Sequence, residues 1–159
     1  TAKNWLSLLE RMYVVFPVYS FTTNLPRAIQ KPPKIYFYDN ADTNDDPAIR
    51  LENLVATTLI KRLHFLEDYY GHRCQLHYVR DKEGKEVDFI TVIDNQIEDL
   101  IEVKLADRNI STSLKYYAKK LKPKRAIQLV GQLERSFDHN GIYVTSPQDF
   151  FIHPPWKDT

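Results

Sequence analysis

Three side chains in the stretch EVDFITVIDNQIEDLIEVK, residues 86–104, have the types and the spacing to do chemistry together: Asp88, Glu102 and Lys104. The stretch reads as two β-strands joined by a tight turn. Residues i and i+2 of a strand leave the same side, so Glu102 and Lys104 project together. Whether Asp88 joins them depends on the turn. With Asp94-Asn95 alone as the loop, Asp88 faces Ile101 and the two carboxylates fall on opposite faces. With Asp94-Asn95-Gln96 as the loop, Ile93/Ile97, Phe89/Ile101 and Val87/Val103 share one face, while Asp88/Glu102 and Ile90/Leu100 share the other. A slip of one residue exchanges the faces, and burial selects the register that groups apolar residues, so the three-residue loop is expected.

Two carboxylates side by side repel, and without a counter-charge one of them takes up a proton near neutral pH. A hard cation such as Mg²⁺ or Mn²⁺ removes the conflict, because it prefers carboxylate, carbonyl and water oxygens. Such an ion polarises phosphoryl oxygens and activates water. A lysine beside it orients that water or neutralises charge developing on a phosphate. The residue types therefore describe a metal-dependent phosphodiesterase site. A Glu-x-Lys triplet on a solvated strand face also arises by chance, and that reading stands beside the catalytic one until other residues join the group.

One does join it. Asp46-Pro47 is a helix start, with an Asp N-cap and proline in the first turn, and the helix should run to about Tyr70 and stop at Gly71. Leu51, Val55, Leu59, Leu63 and Leu66 form its apolar stripe, and Glu52 lies inside that stripe. A carboxylate on a buried face is costly unless it is paired or binds a cation, which makes Glu52 a candidate fourth member.

The remaining elements follow from periodicity and breakers. Asn4–Met12 is an amphipathic helix with Trp5, Leu8, Leu9 and Met12 on one side, and Tyr13–Tyr19 a strand. Residues 22–33 hold three prolines and read as a loop. Lys34–Tyr38 (KIYFY) is a short strand, and Asn40–Asp46 (NADTNDD) a polar surface loop. Strands follow at Cys74–Arg80, Lys124–Val130 and Gly141–Val144, with a helix over Leu114–Leu121 entered through Asn109–Ser113 and stopped by Pro123. This order predicts an α/β (α+β) mixed sheet. The basic cluster Lys115, Lys119, Lys120, Lys122, Lys124 and Arg125, with Tyr116 and Tyr117 interleaved, suits a phosphate backbone; the simpler reading, a solvated helix face with Leu114, Tyr117 and Leu121 turned inward, is preferred. The histidines show no metal-ligand spacing. Phe150, Phe151 and Trp156 are expected to close the core.

At 159 residues, with 43% apolar and 13% aromatic residues and a formal charge of +1, the chain is expected to fold as a globular protein whose charge alone neither demands nor excludes nucleic acid. Cys74 is the lone cysteine, which excludes a disulfide framework and a thiolate zinc site and suits a cytoplasmic setting. The longest apolar run, Met12–Phe21, is far too short to span a bilayer. A start at Thr1, directly before a helix, leads us to expect an excised fragment or a chain whose first elements lie elsewhere. No GxxxxGK[ST] occurs, so this stretch does not hold nucleotide phosphates by a P-loop.

VDF at 87–89 followed by IEVK at 101–104 resembles the PD-(D/E)XK nuclease superfamily. With PKIYFYD at 33–39, RLENLV at 50–55, SLKYYAKKL and GIYV, the chain from about Lys3 looks like the nuclease-like domain, a domain of unknown function, at the C-terminus of AAA-type archaeal and bacterial ATPases. The resemblance implies a restriction-endonuclease-like core with flanking helices over residues 21–159, and a truncated winged-helix tail over residues 1–20. It implies Asp88 and Glu102 as metal-binding acids, Lys104 as the catalytic lysine and Glu52 as the helix acid. It further implies Mg²⁺ or Mn²⁺ as cofactor, DNA as substrate with RNA second, and an attached N-terminal AAA-type ATPase as partner. The acidic loop after Asp39 and Leu105 after the IEVK motif depart from the family pattern. Fold and motif can outlive catalysis, so two expectations stand: a metal-dependent nuclease domain, or a non-catalytic module of the same fold that targets the ATPase to nucleic acid or protein.

Overall fold

The computed structural model describes residues 1–22 and 31–152. Most of the expected 22–33 loop, and Trp156 of the terminal aromatic segment, lie outside the described residues. Along the chain come α1 (Ala2–Arg11), β1 (Val15–Ser20), β2 (Lys34–Phe37), a 3-10 turn (Asn40–Asp42), α2 (Pro47–Tyr70), β3 (Cys74–Arg80), β4 (Glu86–Ile93), β5 (Gln96–Lys104), α3 (Thr112–Leu121), β6 (Arg125–Val130), β7 (Phe137–His139), β8 (Ile142–Thr145) and α4 (Pro147–Ile152). Among the described residues the strands make one mixed eight-stranded sheet in the order β2-β1-β3-β4-β5-β6-β8-β7. No helix among them is long and apolar enough to cross a membrane.

The ends of α2 are set by local chemistry. The Asp46 carboxylate accepts from Ala48 N at 2.8 Å, Pro47 needs no hydrogen-bond partner in the first turn, and Gly71 takes the left-handed conformation (φ 74°) that closes the last turn. Val55, Ala56, Leu59 and Leu63 are buried and pack with Phe89, Ile101, Ile127, Leu129 and Phe150 on one face of the sheet. On the other face α3 buries Leu114 and Tyr117 against Val87, Ile90, Leu100 and Ala126. Sequence periodicity does not reveal β7, which is three residues long and wholly exposed, or the six-residue α4. Neither is long enough to show a period.

Asn53, buried within α2, does a strand's work from a helix. Its Oδ1 accepts from Phe37 N at 2.8 Å and its Nδ2 donates to Phe37 O at 3.0 Å, so the side chain pairs with edge strand β2 as a neighbouring strand would. This clamp holds the first half of α2, and Glu52 with it, over Lys34 and Tyr36. Asn53→Ala is expected to cost about 1–3 kcal/mol, since it leaves the part-buried Phe37 N–H unpaired and its C=O with the Thr57 hydroxyl in place of two donors; urea unfolding would measure it.

The β4–β5 turn corrects the three-residue loop expected above. Ile93 faces Gln96, and Asp94 and Asn95 form a two-residue loop with φ of 49° and 67°. Positive φ at both central residues is the mark of a type I′ turn, whose twist matches that of the flanking strands, and Asp and Asn tolerate that conformation. Ile93 and Ile97 are therefore not opposite one another. The register nevertheless shifts between Thr91 and Val92: Val92 faces Ile97, Thr91 faces Asp99, and Phe89 faces Ile101. A bulge on β5 at Glu98 thus adds the residue that the turn omits.

A second irregularity corrects the expected faces. On the β3 side, His77 faces Ile90 but Val79 faces Val87, so β4 carries an extra residue between them. Val87 consequently packs with Ile90, not with Val103, which lies against the α2 side. With Val87 turned away, Asp88 is turned toward α2. Asp88 and Glu102 do not sit side by side on one face as the plain alternation predicts; they approach across the opened end of the β4–β5 ladder.

Candidate functional site

The site lies where β4 and β5 part. Past the Phe89/Ile101 pair, the N–H of Val103 is taken by the Asp88 carboxylate at 2.9 Å, so a side chain replaces a main-chain partner. The other Asp88 oxygen lies 3.2 Å from Lys34 Nζ. Lys34 gathers two further acids, Glu86 at 2.7 Å and Glu52 at 3.2 Å, and lies 5.7 Å from the Tyr78 ring centroid. Glu52 Oε1 also accepts from the Tyr36 hydroxyl at 2.7 Å. Glu52 therefore leaves the apolar stripe paired, half-exposed at the rim.

Glu102 is 5% exposed and stands beside Gln128 of β6, its neighbour in the parallel pair. Gln128 is held from the loop before α3, accepting from Ser111 N and donating to the carbonyls of Asp107 and Asn109. One Glu102 oxygen meets Lys104 Nζ at 2.7 Å. The other, Oε2, is buried with no hydrogen-bond partner among the described residues. A buried carboxylate oxygen without a donor is costly, and a cation or a water would satisfy this one.

The electrostatics follow from crowding. Burial, then the charges of Glu52 and Glu102, push the Asp88 carboxyl up to about 7, against the pull of Lys34 and the Val103 N–H. Burial works against the Lys34 charge, but Asp88, Glu52 and Glu86 outweigh it and raise its pKa. Lys104 behaves likewise: burial opposes the charge, and Glu102, Asp88 and Asp107 overcome it, so its pKa is raised and it stays an ammonium. Burial and the neighbouring Glu52 raise the Tyr36 phenol well out of the physiological range, leaving it a donor.

The structure thus brings the four residues singled out in the sequence into one group, but places Lys34 between two of them. The sequence does not point to Lys34, Tyr36 or Glu86. Alternation within KIYFY puts Lys34 and Tyr36 on one side of β2, but nothing local says that this side meets β4.

A divalent ion suits these residues in part. The donor set is all oxygen, which favours Mg²⁺ or Mn²⁺. The carboxylates of Glu52, Glu86, Asp88 and Glu102 outnumber the cationic heads of Lys34, Lys104 and the outlying Arg80, 3.7 Å from Glu86. The orphaned Glu102 oxygen faces no donor. Chemistry and charge fit an ion. As arranged around Lys34, however, no three acid, His or Cys side chains among the described residues converge closely enough to hold one.

Elsewhere, Lys115, Lys119 and Lys120 are exposed on α3 while Leu114 and Tyr117 face inward, the solvated-face arrangement preferred above. At the far end of the β4–β5 ladder, Arg125 joins Asp99 (2.6 Å) and Glu98 (2.9 Å) at the bulge.

Comparison with known proteins gives two matches to protein families. The family described as a domain of unknown function (DUF4143) matches residues 50–149, a stretch that holds Glu52, Asp88, Glu102 and Lys104. A second domain of unknown function (DUF8612) matches residues 1–42, which include α1, β1 and β2. No curated protein and no solved structure matches the chain.

Proposed function

The chain belongs to the DUF4143 family of domains of unknown function, so its chemistry has to be argued from the site, and we propose that the domain is a metal-dependent nuclease of the PD-(D/E)XK kind. The observation that carries this reading is the orphaned Oε2 of Glu102, buried beside a lysine and near Asp88 at the opened end of two strands. Asp88 and Glu102, with Glu52 from α2, would hold the ion, whose contribution when bound is to polarise a phosphoryl oxygen and activate water.

The chain's own residues supply the rest. Lys104, kept charged by Glu102, neutralises negative charge developing on the phosphate; its raised pKa argues against a role as general base. The Val103 N–H fixes the Asp88 carboxylate, and Gln128 ties β6, the strand beside Glu102, to the loop before α3. We take the substrate to be DNA, with RNA as second candidate, and the partner to be an AAA-type ATPase. The exposed apolar side of α1 and its C-cap (Trp5, Leu8, Met12) supports a further protein surface at that end. The alternative is a non-catalytic module of the same fold; it is favoured by Lys34, which already satisfies Asp88 and Glu52.

Calorimetric titration with Mn²⁺ and cleavage of plasmid and single-stranded DNA test the reading. Wild type is expected to bind Mn²⁺ and cut; Asp88→Ala is expected to lose metal binding; and Lys104→Ala is expected to keep metal but cut about 100-fold more slowly. A wild type that binds no metal overturns the proposal, and metal binding without cleavage of either substrate favours the module.

A further inference from the structure

Lys34 is the residue of the site that the motif does not explain. Its ammonium lies within 3.2 Å of one oxygen each of Glu52 and Asp88, two of the three acids assigned above to the ion, while the third acid, Glu102, keeps an oxygen open. A divalent ion shared by those carboxylates and an ammonium held between two of them compete for the same negative charge at close range, where two cations repel strongly. Loading therefore needs the ammonium to leave. It has somewhere to go: its shortest contact, 2.7 Å, is to Glu86, which is not among the proposed ligands. A lysine head on a four-carbon stem can pivot from one carboxylate to another at small cost.

We infer that Lys34 is a built-in counter-ion that holds Asp88 and Glu52 when no metal is bound and must be displaced onto Glu86 for a divalent cation to enter, so that Lys34 sets the metal affinity of the site. This rests on the metal-dependent reading above. Lys34 is here a positioning and competing residue: it orders the acids in the metal-free protein and weakens binding of the ion. The same exchange accounts for the lack of a converged three-acid cluster among the described residues, since Lys34 occupies the middle.

Three proteins test it by calorimetric Mn²⁺ titration and thermal unfolding with and without Mn²⁺: wild type, Lys34→Met and Glu86→Gln. Lys34→Met keeps the apolar stem and removes the competing charge, so it is expected to bind Mn²⁺ at least ten-fold more tightly than wild type. Its melting temperature should be lower than wild type without metal and should rise more on adding Mn²⁺. Glu86→Gln removes the place to which the ammonium retreats and is expected to bind Mn²⁺ more weakly than wild type. Should Lys34→Met fail to fold without metal, Lys34→Met/Glu86→Gln carries one uncompensated acid fewer and is expected to show the same tightening against Glu86→Gln alone. If wild type binds Mn²⁺ and removal of the lysine leaves the affinity unchanged or weaker, the counter-ion role is overturned and the metal site stands. If wild type binds no Mn²⁺, the metal-dependent reading falls and the counter-ion role falls with it.

Discussion

Arg125→Met is expected to destabilise the fold by about 3–5 kcal/mol, a loss that Asp99→Asn in the same chain should largely restore. Arg125 meets Asp99 at 2.6 Å and Glu98 at 2.9 Å, and its side chain is 15% exposed while that of Asp99 is 5% exposed. Methionine replaces the stem but takes away the ion-pair partner of Asp99, a buried carboxylate whose other oxygen lies 3.2 Å from the Thr91 hydroxyl. The cost comes chiefly from that stranded carboxylate, which is why neutralising it should recover most of the loss. Urea unfolding of the single and double variants measures both steps. The same residues flank the β5 bulge, so the variant also tests register: hydrogen exchange at Val103, whose N–H is held by Asp88, should rise more than exchange on β8. Equal exchange on both strands would separate the ion pair from the register.

Asp88→Asn is the second large effect, and its sign is opposite to that of most substitutions at a buried polar position. The Asp88 carboxyl is pushed up to about 7 in the folded protein, first by burial and then by Glu52 and Glu102. Its ordinary value is 3.8. A carboxyl with a raised folded pKa holds its proton more tightly when folded, so its contribution favours folding below about pH 4 and is lost as pH climbs toward 7. Above pH 7 the charged Asp88 is a net cost. Asparagine keeps an oxygen for the Val103 N–H and drops the charge, so it is expected to stabilise the metal-free protein by on the order of 2 kcal/mol above pH 7, after discounting the lost attraction to Lys34. Between pH 4 and 7 the wild type should lose stability relative to the variant; urea midpoints across that range would show it. Cleavage by the variant should fall at the same time, the trade of stability against function expected where a site concentrates like charges. An unchanged pH profile would mean that Lys34 alone keeps Asp88 ionised.

Much of the fold and part of the site are legible in the amino-acid sequence. The limits of α2 follow from Asp46, Pro47 and Gly71, because caps act within a few residues of themselves. β3 coincides with Cys74–Arg80 because that run is bounded by Gly71 before it and the polar DKEG turn at 81–84 after it. Glu102 and Lys104 project together because they stand two apart on one strand. Glu52 is out of place on its apolar stripe, and its partners on β2 explain why it is tolerated there.

The turn shows where local reasoning stops. Burial asks for Phe89 opposite Ile101, and plain alternation assigns the extra residue to the loop. The chain puts it in a bulge instead, because Asp94 and Asn95 already satisfy a two-residue turn and Asp94 gains further bonds to His72 and Arg73. Burial specifies the register without specifying where the irregularity sits.

By itself, then, the sequence determined the caps, the amphipathic faces, and an acid, an acid and a lysine on adjacent strands, since each depends on neighbours a few residues apart. Only the tertiary structure decided that the extra residue on β4 turns Asp88 toward α2, and that Lys34 stands among the acids. Lys34 reaches Asp88 across 54 residues of chain, through a sheet order in which β2 pairs with β1 and β1 with β3. Such pairings are chosen by the burial of whole faces and by the closure of long loops, and no short stretch of residues records the outcome.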